Sequence, residues 1–463
     1  MHSIKKRVKL ILSVIIVFLI CFVTAFILKE RNSVYKYNVR KSYEYDFSRT
    51  NASIINLDLK GGEVNIPELN DKWDTAFLEV NINTTFFGYI FQPKIVLNNG
   101  KITLLQYFEY GAKGIRYINV SQLISKDNPQ IRLRGKNVSL NDQSVKLILF
   151  KNAKPNKPRI LVVSPHPDDA EIAAYGLYSS NKDSYIVTIT AGDAGGKKYD
   201  EIYQDNIKHY LKKGEVRVWN SITVPLLGGI IPEHALNLGY FDTTLNKMYL
   251  DKSAVIKSKY THISDINFYR KRNVSKLITG LRGESTWNSL VKDIQYLLNK
   301  IKPNIIVAPY PAIDSHPDHK FSTIALFEAI KKMKLEEGYL YLYTNHHVLS
   351  EFYPYGEMGS LVSLPPNFGK PLYFRSIYSH FLPVDRQKDK IFALEAMNDL
   401  RLDTEWRTAY GIIKKAIKIT ISHILGLDTS YYRRAVRNNE LFFVVNIRDI
   451  YNNEVYEKLK GKI

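Results

Sequence analysis

Three patterns of apolar and polar positions divide the chain. Residues 10–28 form an almost uninterrupted apolar run. From 36 to 150 the apolar runs are short and alternate at every second residue, as in Ile54-Ile55-Asn56-Leu57-Asp58-Leu59 and Phe77-Leu78-Glu79-Val80-Asn81-Ile82. Lys94-Ile95-Val96-Leu97 is joined through Asn98-Asn99-Gly100 to Lys101-Ile102-Thr103-Leu104. Period-two alternation with a hairpin signal predicts an antiparallel β-sandwich over 36–150. The segment 151–158, with Pro155, Pro158 and five polar residues around them, reads as a linker. From 159 to 463 strand-type runs alternate with helical spacing. Ile160-Leu161-Val162-Val163, Ile186 to Thr190, Ile305-Ile306-Val307-Ala308 and Tyr339 to Tyr343 read as strands, and Trp287, Leu290, Val291, Ile294, Leu297 and Leu298 mark one face of a helix. Such alternation predicts an α/β domain with a mostly parallel sheet.

The first run changes the picture of location. It approaches the ~20 residues needed to cross a bilayer, and Lys5, Lys6, Arg7 and Lys9 stand before it. Residues 1–35 are therefore expected to form a cytoplasmic tail and an uncleaved transmembrane anchor, with the body of the chain on the periplasmic or extracellular side. The net charge of +20 favours a polyanionic or membrane-surface neighbour. No nucleic-acid-binding motif accompanies it. Cys21 is the only cysteine, so no intrachain disulfide forms.

Candidate chemistry gathers after two of the strands. Ser164-Pro165-His166-Pro167-Asp168-Asp169-Ala170-Glu171 follows the 160–163 run and leads into a helix-type pattern. It therefore sits at a strand's carboxyl end, where open α/β sheets place their ligand sites. His166 and Asp169, three residues apart across the turn, offer an imidazole nitrogen and a carboxylate oxygen to one cation, a donor set that suits zinc. A third donor is expected from the second cluster, Asp314-Ser315-His316-Pro317-Asp318-His319, which follows the 305–308 run.

His166-Pro167-Asp168-Asp169 with the later His316-Pro317-Asp318-His319 resembles the PIG-L/LmbE-like zinc deacetylases, which remove acetyl groups from N-acetylglucosamine-type sugars. The resemblance covers roughly 159–332. It implies a Rossmann-like fold, zinc bound by His166, Asp169 and His319, and Asp168 as general base. It also implies that His316, oriented by Asp318, polarises the carbonyl or protonates the leaving amine. Arg217 and Asp242 fall where the family often places substrate-contacting groups. Two departures stand out: Ala170 precedes Glu171 where many members carry an acidic residue, and Asp314 occupies a position that is tyrosine in some.

The fold class expected for the whole chain is α/β, a Rossmann-like mostly parallel sheet with helices on both faces, preceded by a transmembrane helix and a β-sandwich domain. The expected function is zinc-dependent hydrolysis of an N-acetyl group from an amino sugar in a cell-envelope glycan or glycoconjugate. The rival readings are a membrane-tethered, non-catalytic glycan-binding protein and a hydrolase of another small amide. Trp73, Tyr107, Phe108, Tyr110 and Tyr117 are either sugar-stacking faces or core residues, with core the favoured reading. Residues 243–280 exceed the family core and are expected to border the cleft. His346-His347 reads as a contact around the metal ligands or to substrate, or as structural. Residues 405–425, with Trp406, Tyr410, Ile413 and Ile417 at helical spacing, suggest either an interfacial helix or one packed on the domain.

Overall fold

The computed structural model describes residues 2–69, 72–125, 128–141, 143–281, 283–369, 371–398, 412–413, 416–417, 420 and 434–462. It opens with helix α1 (His2–Val34). Nine strands follow: β1 (Ser53–Lys60), β2 (Glu63–Asn65), β3 (Thr75–Thr84), β4 (Lys94–Asn98), β5 (Thr103–Tyr107), β6 (Lys113–Asn119), β7 (Gln130–Lys136), β8 (Val138–Leu140) and β9 (Ser144–Phe150). They hydrogen-bond as one antiparallel sheet in the order β5-β4-β7-β2-β1-β9-β3-β6, with β8 on β3. The β4–β5 hairpin turns at Asn98-Asn99-Gly100, where Gly100 takes φ 84° and Asn98 Oδ1 accepts its N–H at 2.7 Å.

Period two decides which core each side chain enters. Leu78, Val80 and Ile82 of β3 pack with Ile95, Leu97, Ile131, Leu133, Leu147 and Leu149 inside the curled sheet. Their neighbours Phe77, Ile148 and Phe150 point the other way, into the core of the second half. Tyr107, Phe108 and Tyr117 are buried, which makes them core residues.

The second half contains β10 (Ile160–Ser164), α2 (Asp169–Ser179), β11 (Ser184–Thr190), α3 (Asn206–Leu227), β12 (Ala235–Tyr240), α4 (Leu245–Leu250), α5 (Asn267–Arg270) and α6 (Trp287–Ile301). It continues with β13 (Ile305–Pro309), α7 (Pro317–Met333), β14 (Tyr339–Tyr343), β15 (Ser376–Phe381), α8 (Val384–Glu395) and β16 (Asn439–Asn446). The sheet order is β12-β11-β10-β13-β14-β16-β15. Pairing is parallel from β12 to β14 and antiparallel from β14 through β16 to β15. The expected apolar face of α6 is buried, including Trp287, Leu290, Ile294 and Leu297.

Two expectations are corrected here. The fold class is not a Rossmann-like parallel sheet behind a transmembrane helix and a two-layer sandwich: the larger sheet is the nine-stranded antiparallel one, and the smaller closes with two antiparallel strands. Apolar runs such as that of β16 carry no record of strand direction, which is set by how the chain returns. Among the described residues no helix is long and apolar enough to cross a membrane. The single-pass membrane localisation is overturned by this finding, and the envelope setting deduced from it loses its basis. The 405–425 segment lies almost wholly outside the described residues.

The two halves meet through β15. Ser379 N–H donates to Thr75 Oγ1 at 3.0 Å, and Asn119 Nδ2 donates to Ser379 Oγ at 2.8 Å. In the 151–158 segment, buried Asn152 donates to Asp74 Oδ1 (2.6 Å) and to the Ile377 carbonyl (2.9 Å), which fixes the crossing. Helix α2 breaks at Ala174 (φ −142°, ψ 16°). The N–H groups of Gly176 and Leu177 beyond the break donate to the two oxygens of Glu440 on β16, at 2.8 and 2.9 Å. Lys390 of α8 donates to the same carboxylate at 2.9 Å.

A buried ion pair fastens residues 37–43 to the first sheet. Arg116 donates to both oxygens of Glu109, at 3.1 and 3.0 Å, and to the carbonyls of Val39 and Lys41; Tyr37 and Tyr43 hydroxyls also donate to Glu109. Breaking one side of such a pair leaves an uncompensated buried charge, so Arg116→Met is expected to cost about 3–5 kcal/mol of unfolding free energy. Arg116→Met with Glu109→Leu is expected to regain most of it, as read from denaturant midpoints.

Beyond β14, His347 is fully buried and accepts the Leu349 N–H at 3.3 Å. Burial pushes its pKa down to about 4, against an unfolded value of about 6.5. The unfolded chain thus takes up a proton that the folded chain refuses. Stability present above pH ~6.5 is lost progressively as the pH falls toward ~4, by roughly 3 kcal/mol in all. His347→Gln is expected to flatten this loss when urea midpoints at pH 7 and pH 5 are compared.

Candidate metal centre

The carboxyl ends of four of the five parallel strands open onto one place. His166, Asp168 and Asp169 follow β10, Asp242 follows β12, the Asp314 to His319 cluster follows β13, and Asn345 follows β14. The first turn is rigid because Ser164 Oγ donates to the His166 carbonyl (2.5 Å) and accepts the Ala170 N–H (3.1 Å). Asp168 holds the N-cap position of α2, yet its side chain makes no cap hydrogen bond. It faces Arg217 instead, with Oδ1 3.3 Å from Nη2.

Three donor atoms converge. His166 Nδ1 lies 3.2 Å from Asp169 Oδ2, His319 Nε2 lies 3.1 Å from the same oxygen, and the two nitrogens are 3.3 Å apart. Four-coordinate zinc with bonds of about 2.0–2.1 Å separates its donors by about 3.3 Å, so this triangle has the size the ion needs. The far side of each ring is occupied by carboxylate. His319 Nδ1 faces Asp314 Oδ2 at 3.1 Å, and His166 Nε2 faces Asp242 Oδ1 at 3.2 Å and Asp318 Oδ2 at 3.3 Å. Each imidazole then carries its proton outward and turns a lone pair inward.

Electrostatics report the same crowding. Burial alone would lower both ring pKa values, but Asp242 followed by Asp169 and Asp318 holds His166 well above its ordinary value, and Asp169 with Asp314 lifts His319 to about 10. Asp169, against its burial, is held well below the usual carboxylate range by His319 and His166. Without a cation the cluster takes up protons; with one, the cation replaces them.

The remaining expected residues are placed as follows. His316 caps α7, its Nδ1 accepting the Asp318 N–H at 3.2 Å, and its ring centroid is 4.6 Å from that of His166. Burial first, then the neighbouring His166 and His319, push its pKa down to about 3. The Asp318 carboxylate turns toward His166 and not toward the His316 ring, and also accepts the N–H groups of Thr243 (2.6 Å) and Leu245 (3.2 Å). Arg217 and Asp242, which the sequence leaves open between substrate contacts and members of surface ion pairs, face Asp168 and His166 and approach each other at 3.9 Å.

Sequence reasoning assigned no role to three further residues. Asp314 backs His319 from inside the second cluster. Asn345 donates to Asp169 Oδ1 at 2.8 Å. Asp193, in the Gly-rich loop that follows β11, is buried; it accepts the Asp242 N–H at 2.9 Å and the Ser258 hydroxyl at 2.6 Å. The 243–280 stretch is thereby tied to the site from both Thr243 and Ser258. Position just beyond a strand end was the only signal for Asn345 and Asp193.

No curated protein matches the chain. Among solved structures, the chain is similar to the A40926 pseudoaglycone deacetylase Dbv21, at 16% identity over 63% of this chain and 99% of that one, with a TM-score of 0.33. It is also similar to the zinc-inhibited form of teicoplanin deacetylase Orf2, at 14% identity over 62% and 98%, TM-score 0.33. A third is the conserved protein TT1542 from Thermus thermophilus, at 16% identity over 62% and 94%, TM-score 0.29. The family model for PIG-L, GlcNAc-PI de-N-acetylase, matches residues 161–330, the span that runs from β10 to α7 and holds every residue of the donor triangle. Residues 161–330 of this chain thus match the PIG-L family.

Proposed function

We propose that the chain is a zinc-dependent deacetylase that hydrolyses the N-acetyl group of an amino sugar, with His166, Asp169 and His319 as the ligands. The observation that carries this reading is the triangle of inward lone pairs, each ring braced by a carboxylate. The family match supports deacetylation of an acetylated sugar-like substrate. A zinc ion held there supplies Lewis-acid polarisation of the amide carbonyl and acidification of water.

The chain's own groups account for the proton movements. Asp168 is the general base that takes the proton of the attacking water, and the Arg217 guanidinium at 3.3 Å orients that carboxylate. With a pKa near 3, the His316 ring is neutral at ordinary pH. Its Nδ1 already accepts the Asp318 N–H, so the ring proton sits on Nε2 and is available to the developing oxyanion. As the carbon–nitrogen bond breaks, the departing nitrogen takes the proton that Asp168 removed from the water, giving acetate and a free amine. Asp242 and Asp318 act by orienting His166, and Arg217 by orienting Asp168.

Asp168→Asn is expected to lower acetate release from N-acetylglucosamine oligomers by at least ~10²-fold with zinc content unchanged. Undiminished release would overturn the base assignment. Chelation is expected to abolish release and zinc to restore it. Activity that survives complete metal removal would exclude the zinc reading, and zinc-loaded protein that releases acetate from a different amide but not from the sugar would redirect the substrate class.

A further inference from the structure

We propose that His346 is a fourth protein donor to the same cation, displaceable where the other three are fixed, and that it occupies the position substrate must take. This rests on the three-ligand reading above and adds to it a resting state in which the chain closes its own site. Ligand atoms of Asp169, His319 and His346 lie within 4.8 Å of one another. The His346 ring centroid is 5.0 Å from that of His319 and 5.7 Å from that of His316.

The far side of the ring is arranged as in the other two ligands. His346 Nδ1 faces Glu351 Oε2 at 3.1 Å, and Glu351 Oε1 accepts the Ser315 hydroxyl at 2.9 Å. A carboxylate behind one nitrogen of a histidine directs the other nitrogen to a metal, and Asp314 does the same for His319. The backbone is anchored at this place: the Ser315 N–H donates to the His346 carbonyl at 2.7 Å, and Asn345 donates to Asp169 Oδ1 at 2.8 Å.

Exposure separates His346 from the other donors. The His319 and Asp169 side chains are 0% and 2% exposed, whereas those of His346 and Glu351 are 28% and 47% exposed. His346 is therefore the donor able to swing into solvent. Catalytic zinc sites keep one position for water or substrate, so a fourth donor has to give way before the reaction, and acetate, the product, competes with it for the same place.

The test uses the full chain loaded with cobalt(II) in place of zinc, read by its visible absorption. In His346→Ala the bands are expected to shift, cobalt affinity to fall at least ~10-fold, and acetate to bind at least ~10-fold more tightly, because nothing has to be displaced. Glu351→Gln, which leaves the ring in place, is expected to move all three in the same direction by less. Unchanged cobalt affinity, bands and acetate affinity in His346→Ala, while His166→Ala loses cobalt, would overturn the fourth donor and leave the three-ligand reading intact. Cobalt bound undiminished in His166→Ala would remove both.

Discussion

Lone pairs cannot share a small buried space without positive charge among them. Here two imidazole nitrogens and a carboxylate oxygen are held 3.1 to 3.3 Å apart. The surrounding carboxylates of Asp314, Asp242 and Asp318 prevent either ring from turning its acceptor nitrogen outward. Everything else at the site follows from keeping that arrangement in place. The Asp318 carboxylate is held by the N–H groups of Thr243 and Leu245, and Asp242 by Asp193. Of the layer of acids behind the two rings, Asp318 and Asp314 take hydrogen bonds from backbone N–H groups, whereas Asp242 is fixed through its own N–H, which donates to Asp193.

That layer also explains why one sheet suffices as a frame. Parallel strands bring their carboxyl ends to one edge, so residues far apart in sequence arrive together without long side chains having to reach. His166 and His319 are separated by 153 positions and yet stand 3.3 Å apart. The short loops at the edge are stiffened by local bonds such as those of Ser164 to His166 and Ala170.

That His166, Asp169 and His319 converge was legible because each cluster follows an apolar strand closely and combines His with Asp at short spacing. The hairpin at Asn98-Asn99-Gly100 was legible for an equally local reason, since the turn demands a residue that tolerates positive φ. What escaped is non-local. Whether β16 runs parallel or antiparallel depends on the return path of the chain, and its apolar pattern is the same either way. The partner of Asp318 depends on where α4 begins. Asp193 sits in Ala191-Gly192-Asp193-Ala194-Gly195-Gly196, a composition that signals flexibility, and only its bonds to Asp242 and Ser258 make it rigid. The apolar run at 10–28 illustrates the opposite risk, a strong local pattern that the described structure does not bear out as a membrane span.

The break in α2 carries a consequence for how the molecule is assembled. Glu440 accepts the N–H groups of Gly176 and Leu177 across separations of 264 and 263 positions. The helix that begins at Asp169 is therefore completed by a strand that lies more than a hundred residues beyond the end of the PIG-L span at 330. Contacts of such long range are entropically expensive to close and slow folding. The family segment alone would leave two amide groups of its first helix without their acceptor. In this chain the boundary of the evolutionary module and the boundary of the cooperative folding unit are different, and the ligand-bearing turn belongs to the larger of the two.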